Sequence, residues 1–406
     1  LYEKECANFA LKLLDYLEKG YQMYFPKGFN HIFKTNLNFT LKEIEKISFN
    51  PVEAAQSIYN SFKENGIENR FPIIIIEKTP RSQKYTVYYE TKRIFAANAI
   101  PTQFITMDIL SDPGRLKWSI FPMTIQIFVK MGGIPYALSK PIGASMQKIL
   151  TLVLGVGLTR IPTESGENRY MGFVILFGPN GEWIIQKPHS EPYDKEKFAT
   201  ALKNLVIDTV AFGFDKIAGI MEKNIEKVHL IIHYSGKAVS VKEELYLWDA
   251  VSEVQSFRHL TIIPHVVKLQ PRNEYIAVLE RGPCISSSGA FTGYPLVGTV
   301  LELMPDFYML FTTGCLQVKD RWRPNAIGSP SPMLLSIKHI RNIRYELNPE
   351  ELAESVFSMC RLNYMSINNP VNKEPITTRY SRELAYMMAR LGGHIPEKLT
   401  RILWFI

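Results

Sequence analysis

The sequence predicts an α/β protein built as two unlike units, and three observations carry that prediction. Strand and helix patterns alternate from Phe71 onward. A Pro/Gly/Ser-rich connection from Ser139 to Met146 divides the alternation. Beyond it, three strand runs come in succession before the next helix. The 406 residues, 46% of them hydrophobic, suffice for two or three domains with sizeable cores.

Residues 1–65 read as a helical segment of unassigned role. An amphipathic helix from Glu3 to Tyr21 and a Pro/Gly/Asn-rich turn lead to a second helix, opened by Thr40 and carrying Lys42, Glu43 and Glu45. Residues 66–142 hold a strand at Phe71–Glu77, a helix at Lys84–Ala97, a strand at Gln103–Leu110 and a helix from Lys117 to Met131, stopped by Gly132-Gly133. That order makes a small doubly wound, Rossmann-like unit. From residue 143 to 406, strands at Lys148–Ile161, Tyr170–Gly178 and Trp183–Lys187 form a meander, with turns at Thr163–Asn168 and Pro179-Asn180-Gly181. A long helix from Lys195 to about Glu222, a strand at Lys227–Tyr234 and a helix around Glu243–Gln255 follow. Three antiparallel strands, a helix and a further strand are the order of an RNase H-like fold. Strand runs from Leu260 lead to closing helices at Pro349–Leu362 and Arg379–Leu391.

Composition excludes several classes. No run of about 18 uncharged apolar residues occurs and the start at Leu1 has no signal-peptide pattern, so a cytoplasmic protein without transmembrane segments is expected. Cys6, Cys284, Cys315 and Cys360 lie far apart with no CxxC pair, which predicts free thiols and neither a zinc ribbon nor a disulfide framework. The net charge of +8 favours a polyanionic partner, though ordinary enzymes reach it too. No acidic residue falls between Asp112 and Glu164, a window holding Arg115, Lys117, Lys130, Lys140, Lys148 and Arg160. Chance and an anion site account for that window about equally well.

Gly155-Val156-Gly157 lacks the third glycine and the helix of a dinucleotide fingerprint. His229 and His233 have helical zinc spacing but sit in a strand, with no Cys or acidic neighbour, which disfavours a metal. Lys319-Asp320-Arg321-Trp322-Arg323-Pro324 is either a solvated loop around one anchored Trp or a contact for phosphates and a base. A sharper constellation lies in the first α/β unit. Tyr89 and Arg93 share a helix face at i and i+4, Gln103 follows the turn Ile100-Pro101, and Gln126 and Lys130 repeat the i, i+4 spacing. Singly each is an ordinary surface or packing residue. Together they supply an aromatic face, cations and amides, which is what a terminal nucleotide with its phosphate requires.

These residues resemble the guide-phosphate pocket of Argonaute MID domains: Tyr89-x-x-x-Arg93, Ile100-Pro101-x-Gln103, Gln126-x-x-x-Lys130 and Gly132-Gly133-x-Pro135. The family usually has Lys where Arg93 stands, and Lys92 is adjacent. Leu403-Trp404-Phe405-Ile406 is similar to the family's buried C-terminus, whose carboxylate shares a divalent cation with the phosphate. The resemblance thus implies a Mg2+ ion held with help from Gln126 and Ile406. Ile232-His233-Tyr234-Ser235-Gly236 resembles the family's strand ending in Arg-Asp-Gly, Gly328-Ser329-Pro330-Ser331-Pro332 its late Gly-Thr-x-x-Pro loop, and Arg379–Ala385 its closing Tyr-Ala-x-x-Leu-Ala helix. The likeness spans about Phe71 to Ile406. No segment resembles a PAZ domain, which implies a short prokaryotic Argonaute: residues 66–142 as MID and 143–406 as PIWI.

The catalytic carboxylates are missing from this pattern. Slicing relatives hold two metal ions with clustered carboxylates, whereas the matching positions here are Gly157, Ser235 and Arg382. The resemblance therefore implies an inactive PIWI domain that binds a 5′-phosphorylated guide, RNA or DNA, and a complementary target, DNA for preference. Arg160, Arg321 and Arg323 would contact the nucleic-acid backbone. It further implies a sensor in prokaryotic antiviral defence, with an APAZ-type partner or separate effector, or a homodimer. Two other readings stay open: an RNase H-like nuclease using Asp208, Asp215 or Asp249, and a structural nucleic-acid-binding subunit.

Overall fold

The computed structural model describes the chain apart from residues 45–49, 65, 67, 78–85, 144–147, 163–167, 189–192, 222–224, 236–240, 259, 281–282, 285–291, 319, 325–330, 339–345, 366–372 and 393–394, and apart from the side chains of 158–162, 168–171, 195–196, 218–221, 241–244, 257–258 and 318. Two compact units result. One joins Leu1–Pro135 to Tyr364–Asn368 and Tyr386–Ile406; the other comprises Tyr136–Asn363 and Asn369–Ala385.

The first unit runs β1 (Tyr2–Glu3), α1 (Ala7–Lys19), β2 (Gly20–Tyr21), β3 (Phe25–Pro26), α2 (Gly28–Phe33), β4 (Glu43–Ile44), α3 (Pro51–Lys63), β5 (Ile73–Ile76), α4 (Val87–Ala97), β6 (Gln103–Thr106), α5 (Met107–Leu110) and α6 (Pro113–Lys130). Ala10, Leu13 and Leu17 make the buried stripe of α1 at helical spacing. The strands β5 and β6 pair in parallel, the α4 crossover between them giving the expected α/β unit. Two expectations are corrected. The second helix does not start at Thr40: Glu43–Ile44 is strand, and α3 begins at Pro51, where the Asn50 side chain accepts from the Val52 amide at 3.0 Å. Asn followed by Pro is the stronger start, because it caps one orphan N–H and removes another. The strand at Gln103 stops at Thr106, and Met107–Leu110 turns helical.

The second unit continues with β7 (Ile149–Pro162), β8 (Asn168–Phe177), β9 (Trp183–Pro188), α7 (Lys195–Met221), β10 (Lys227–Ser235), α8 (Val241–Arg258), β11 (Thr261–Gln270), β12 (Val300–Met304), β13 (Phe307–Leu310), β14 (Cys315–Val318), β15 (Arg321–Pro324), β16 (Met333–Lys338), α9 (Pro349–Cys360) and α10 (Ile376–Leu391). The last residues of α10, from Tyr386, belong to the first unit. Eight strands form one sheet in the order β12-β13-β16-β11-β10-β7-β8-β9. β10 is parallel to β7 and β11, while β7, β8 and β9 form the expected meander. Leu152, Leu154, Leu230 and Ile232 are wholly buried against Leu202, Val206 and Val210 of α7 and Val254 of α8. Burial on both faces explains why these central strands read as unbroken apolar runs.

Cys284 and Cys315 are joined by a disulfide, their Cα atoms 5.8 Å apart, whereas Cys6 and Cys360 are buried free thiols. The expectation of four free thiols is thus corrected for one pair. A separation of 31 residues carries no pairing signal of its own; the approach of Cys284 to the first residue of β14 does. No described helix is long and apolar enough to cross a membrane.

Candidate functional site

Two helices and one strand of the first unit converge on a pair of lysines. Thr86 caps α4, and the helix turns Tyr89, Lys92, Phe95 and Ala96 inward. Asp112 caps α6, and Lys130 is that helix's last residue, where a cation is favoured by the exposed carbonyls. Lys92 and Lys130 are each only 2% exposed. The Lys92 ammonium donates to the carbonyls of Trp404 at 3.0 Å and Thr102 at 3.5 Å. Lys130 donates to Gln103 Oε1 at 2.7 Å, and Gln103 in turn donates to the Phe104 carbonyl. Neither ammonium is ion-paired among the described residues. Burial alone pushes Lys92 down from 10.5 to about 7. Lys130 is pushed well below its ordinary value, first by burial and then by the charge of Lys92.

Around this pair, Gln126 donates to the Met365 carbonyl at 3.3 Å, leaving its amide oxygen as an acceptor. Ile406 is buried, as are Leu403, Trp404 and Phe405. The Tyr89 hydroxyl lies 3.3 Å from that of Tyr386, and the Arg390 guanidinium sits 5.4 Å and 5.1 Å from the two ring centroids. Burial, then Tyr386, raises the Tyr89 phenol. The structure does not bring Arg93 into the cluster: its guanidinium is half-exposed and held by Glu90 at 2.8 Å. Lys92 occupies the inward position instead. Tyr386 and Arg390 were missed by sequence reasoning, although they share the i, i+4 spacing that singled out Tyr89 and Arg93.

In the second unit, β10 lies beside β7 with Tyr234 opposite Val156, so Ser235, the last residue of β10, comes next to Gly157 within β7. The space a side chain at Gly157 would need is filled by Ser381, and that at Gly155 by the Thr377 carbonyl. Arg382 follows on α10 and binds Glu374 at 2.6 Å. Behind them, His233 is fully buried, with Thr377 Oγ1 and Ser355 Oγ each 3.0 Å from its ring nitrogens. Ser355 donates to the Leu352 carbonyl, which assigns Nε2 of His233 as the donor to Ser355 and Nδ1 as the acceptor from Thr377. Burial pushes His233 down to about 3, so this chain is neutral. His229 contacts His265 at 3.1 Å, and no group of three or more His, Cys, Asp or Glu among the described residues is placed to hold a metal. Asp208, Asp215 and Asp249 are exposed on α7 and α8. Arg321, Trp322 and Arg323 are exposed on β15, paired with β14 as a hairpin. The Arg160 side chain, Lys319, Gly236 and Gly328–Pro330 lie outside the described residues.

The sheet order and crossovers of the second unit are those of an RNase H-like fold. Residues 73–256 match the Piwi domain family. A Piwi protein of Archaeoglobus fulgidus is 23% identical over 319 residues, covering 76% of this chain and 68% of that one. All of the chain superposes on half of Drosophila Piwi with a TM-score of 0.66 at 12% identity. It likewise covers half of Aquifex aeolicus Argonaute, with a TM-score of 0.57 at 19% identity, a protein also crystallised with externally bound siRNA. The chain is thus similar to Piwi and Argonaute proteins, with the match to the Piwi domain family confined to residues 73–256. It spans about half the length of the solved structures it matches.

Proposed function

We propose that the protein holds a guide strand by its 5′-phosphate and recognises a complementary target without cutting it. The carrying observation is the pair of buried, unpaired ammoniums of Lys92 and Lys130. Two such groups share a dry site only at a cost of several kcal/mol unless an anion joins them. A phosphate dianion neutralises both and accepts their hydrogen bonds. The Gln126 amide oxygen and the Ile406 carboxylate are hard oxygen donors that fit a Mg2+ ion, whose role would be to neutralise phosphate charge. Tyr89 and Arg390 would bound the nucleotide side of the pocket, and Arg321 and Arg323 would follow the backbone. Sequence would be read by base pairing, as in other guided systems.

The centre where paired metals would act supports the non-cutting reading, since Ser381 fills the side-chain space at Gly157 and Arg382 adds a cation. Recognition without cleavage fits a sensor in prokaryotic antiviral defence that signals to a separate effector, with an APAZ-type protein as partner. Binding of 5′-phosphate and 5′-hydroxyl strands to Lys92→Ala and Lys130→Ala tests the pocket. Each variant should lose about 1.5–3 kcal/mol, tenfold or more, for the phosphorylated strand and much less for the other. Equal losses would sink the pocket. Guide-loaded protein with matched target and Mg2+ or Mn2+ should retard the target intact; cleavage at one position opposite the guide would favour a nuclease instead.

A further inference from the structure

The core of the first unit is not closed on itself. Between α1, α3, β5 and α6 lies a cavity of about 360 Å³. Its walls are apolar: Leu13 and Leu17 of α1, Phe62 of α3, Ile75 of β5 and Ile127 of α6 line it and are buried. Its mouth is polar, with Thr40, Asn69 and Arg70 exposed and Lys42 half-buried. Asn69 takes the left-handed backbone conformation at φ 58°, and Arg70 follows directly from that turn. The lining holds these two cations and no carboxylate. Lys42 shares an exposed pair with Glu64 at 3.3 Å, while Arg70 has no ion pair among the described residues. Protein interiors ordinarily hold few voids larger than a water molecule. A space of this size, apolar inside and polar at one end, instead falls in the roughly 300–1,000 Å³ range of ligand pockets.

We propose that this cavity binds a medium-chain aliphatic carboxylate, its chain between α1 and β5 and its carboxylate at Arg70. Size sets the length. At roughly 30 Å³ for each small non-hydrogen group, the share of one water in the liquid, the cavity holds about a dozen such atoms, the size of decanoate. The walls set the body of the ligand. Every methylene taken from water against Leu13, Leu17 and Ile75 favours binding, whereas a nucleotide or sugar would leave polar groups unpaired there. Charge sets the head. A guanidinium takes a carboxylate through two parallel hydrogen bonds, and no lining carboxylate repels it. Lys42 is free to turn from Glu64 to the same head, because an exposed ion pair holds its partners weakly.

Nothing in this site depends on guide binding, so it is tested without nucleic acid. Delipidated protein is titrated by calorimetry with decanoate, and with decyltrimethylammonium as a chain of equal length and opposite charge, both below their micelle-forming concentrations. Decanoate should bind saturably at one per chain, and the cation roughly tenfold more weakly or worse. Arg70→Glu, at an exposed position, should weaken decanoate by about tenfold or more and remove its advantage over the cation. Leu14→Trp, on the half-buried part of the α1 wall, should fill the cavity and abolish binding of both. Should that variant fail to melt cooperatively, Arg70→Glu decides alone. Absence of saturable decanoate binding by the wild-type chain overturns the proposal. So does equal affinity for the two heads, or decanoate binding that Arg70→Glu leaves unaltered.

Discussion

The lysine cluster of the first unit buries two basic groups without a counter-ion, so that they hold their protons weakly, whereas the middle of the second unit carries neutral groups. Lys92 and Lys130 lean on carbonyl and amide oxygens, which bond an ammonium without neutralising it. Around Gly157 the groups are Thr377, His233, Ser355 and Ser381, linked by neutral hydrogen bonds or close packing. A buried unpaired charge is a strain that a ligand relieves, while a satisfied neutral network asks for nothing. The first region is built to be completed and the second is already complete.

Filling the second region should break it. Gly157→Asp must displace Ser381 and bury a carboxylate together, and a loss above about 4 kcal/mol is expected in urea denaturation. Ser235→Asp, at the strand end, should cost no more than about 1 kcal/mol. If Gly157→Asp unfolds like wild type, the interior has room and the contrast fails.

The first region should respond to protons. With Lys92 at about 7 in the free protein, binding a phosphate must recharge it above that pH, so association takes up a proton. Affinity for a 5′-phosphate should fall as pH rises from 7 to 9, by up to about tenfold per unit for each proton coupled. Stability of the phosphate-free protein runs the other way. Between about 7 and 10.5 the unfolded chain binds a proton that folded Lys92 does not, so stability rises with pH across that window and gains nothing further below it. A pH-independent ratio of 5′-phosphate to 5′-hydroxyl affinity would remove the coupling. The smallest effect belongs to Arg93→Ala. Arg93 is half-exposed and engaged by the largely buried Glu90, outside the lysine cluster, so phosphate affinity should change less than twofold.

The order of elements in the second unit was legible because strands buried on both faces leave long apolar runs between turn residues. The buried lysine cluster was legible in part. Helical spacing identified Tyr89, Gln126 and Lys130, but Lys92 and Arg93 are adjacent, and packing puts Lys92 on the buried stripe with Phe95 and Ala96 while Arg93 pairs with Glu90. Tyr386 lies 297 residues from Tyr89, a distance over which no periodic pattern reaches. The Cys284–Cys315 bond was invisible for the same reason.

That bond closes a covalent ring of chain that contains both β12 and β13. Ring closure over 31 residues removes freedom from the unfolded chain rather than adding contact to the folded one, a stabilisation of about 3.5 kcal/mol in the chain-entropy picture. The exposed border of the sheet is thereby steadied by chain topology, where the opposite border relies on a covering helix. A reductant that opens the ring would return that freedom to the hairpin while leaving every folded contact of the border in place.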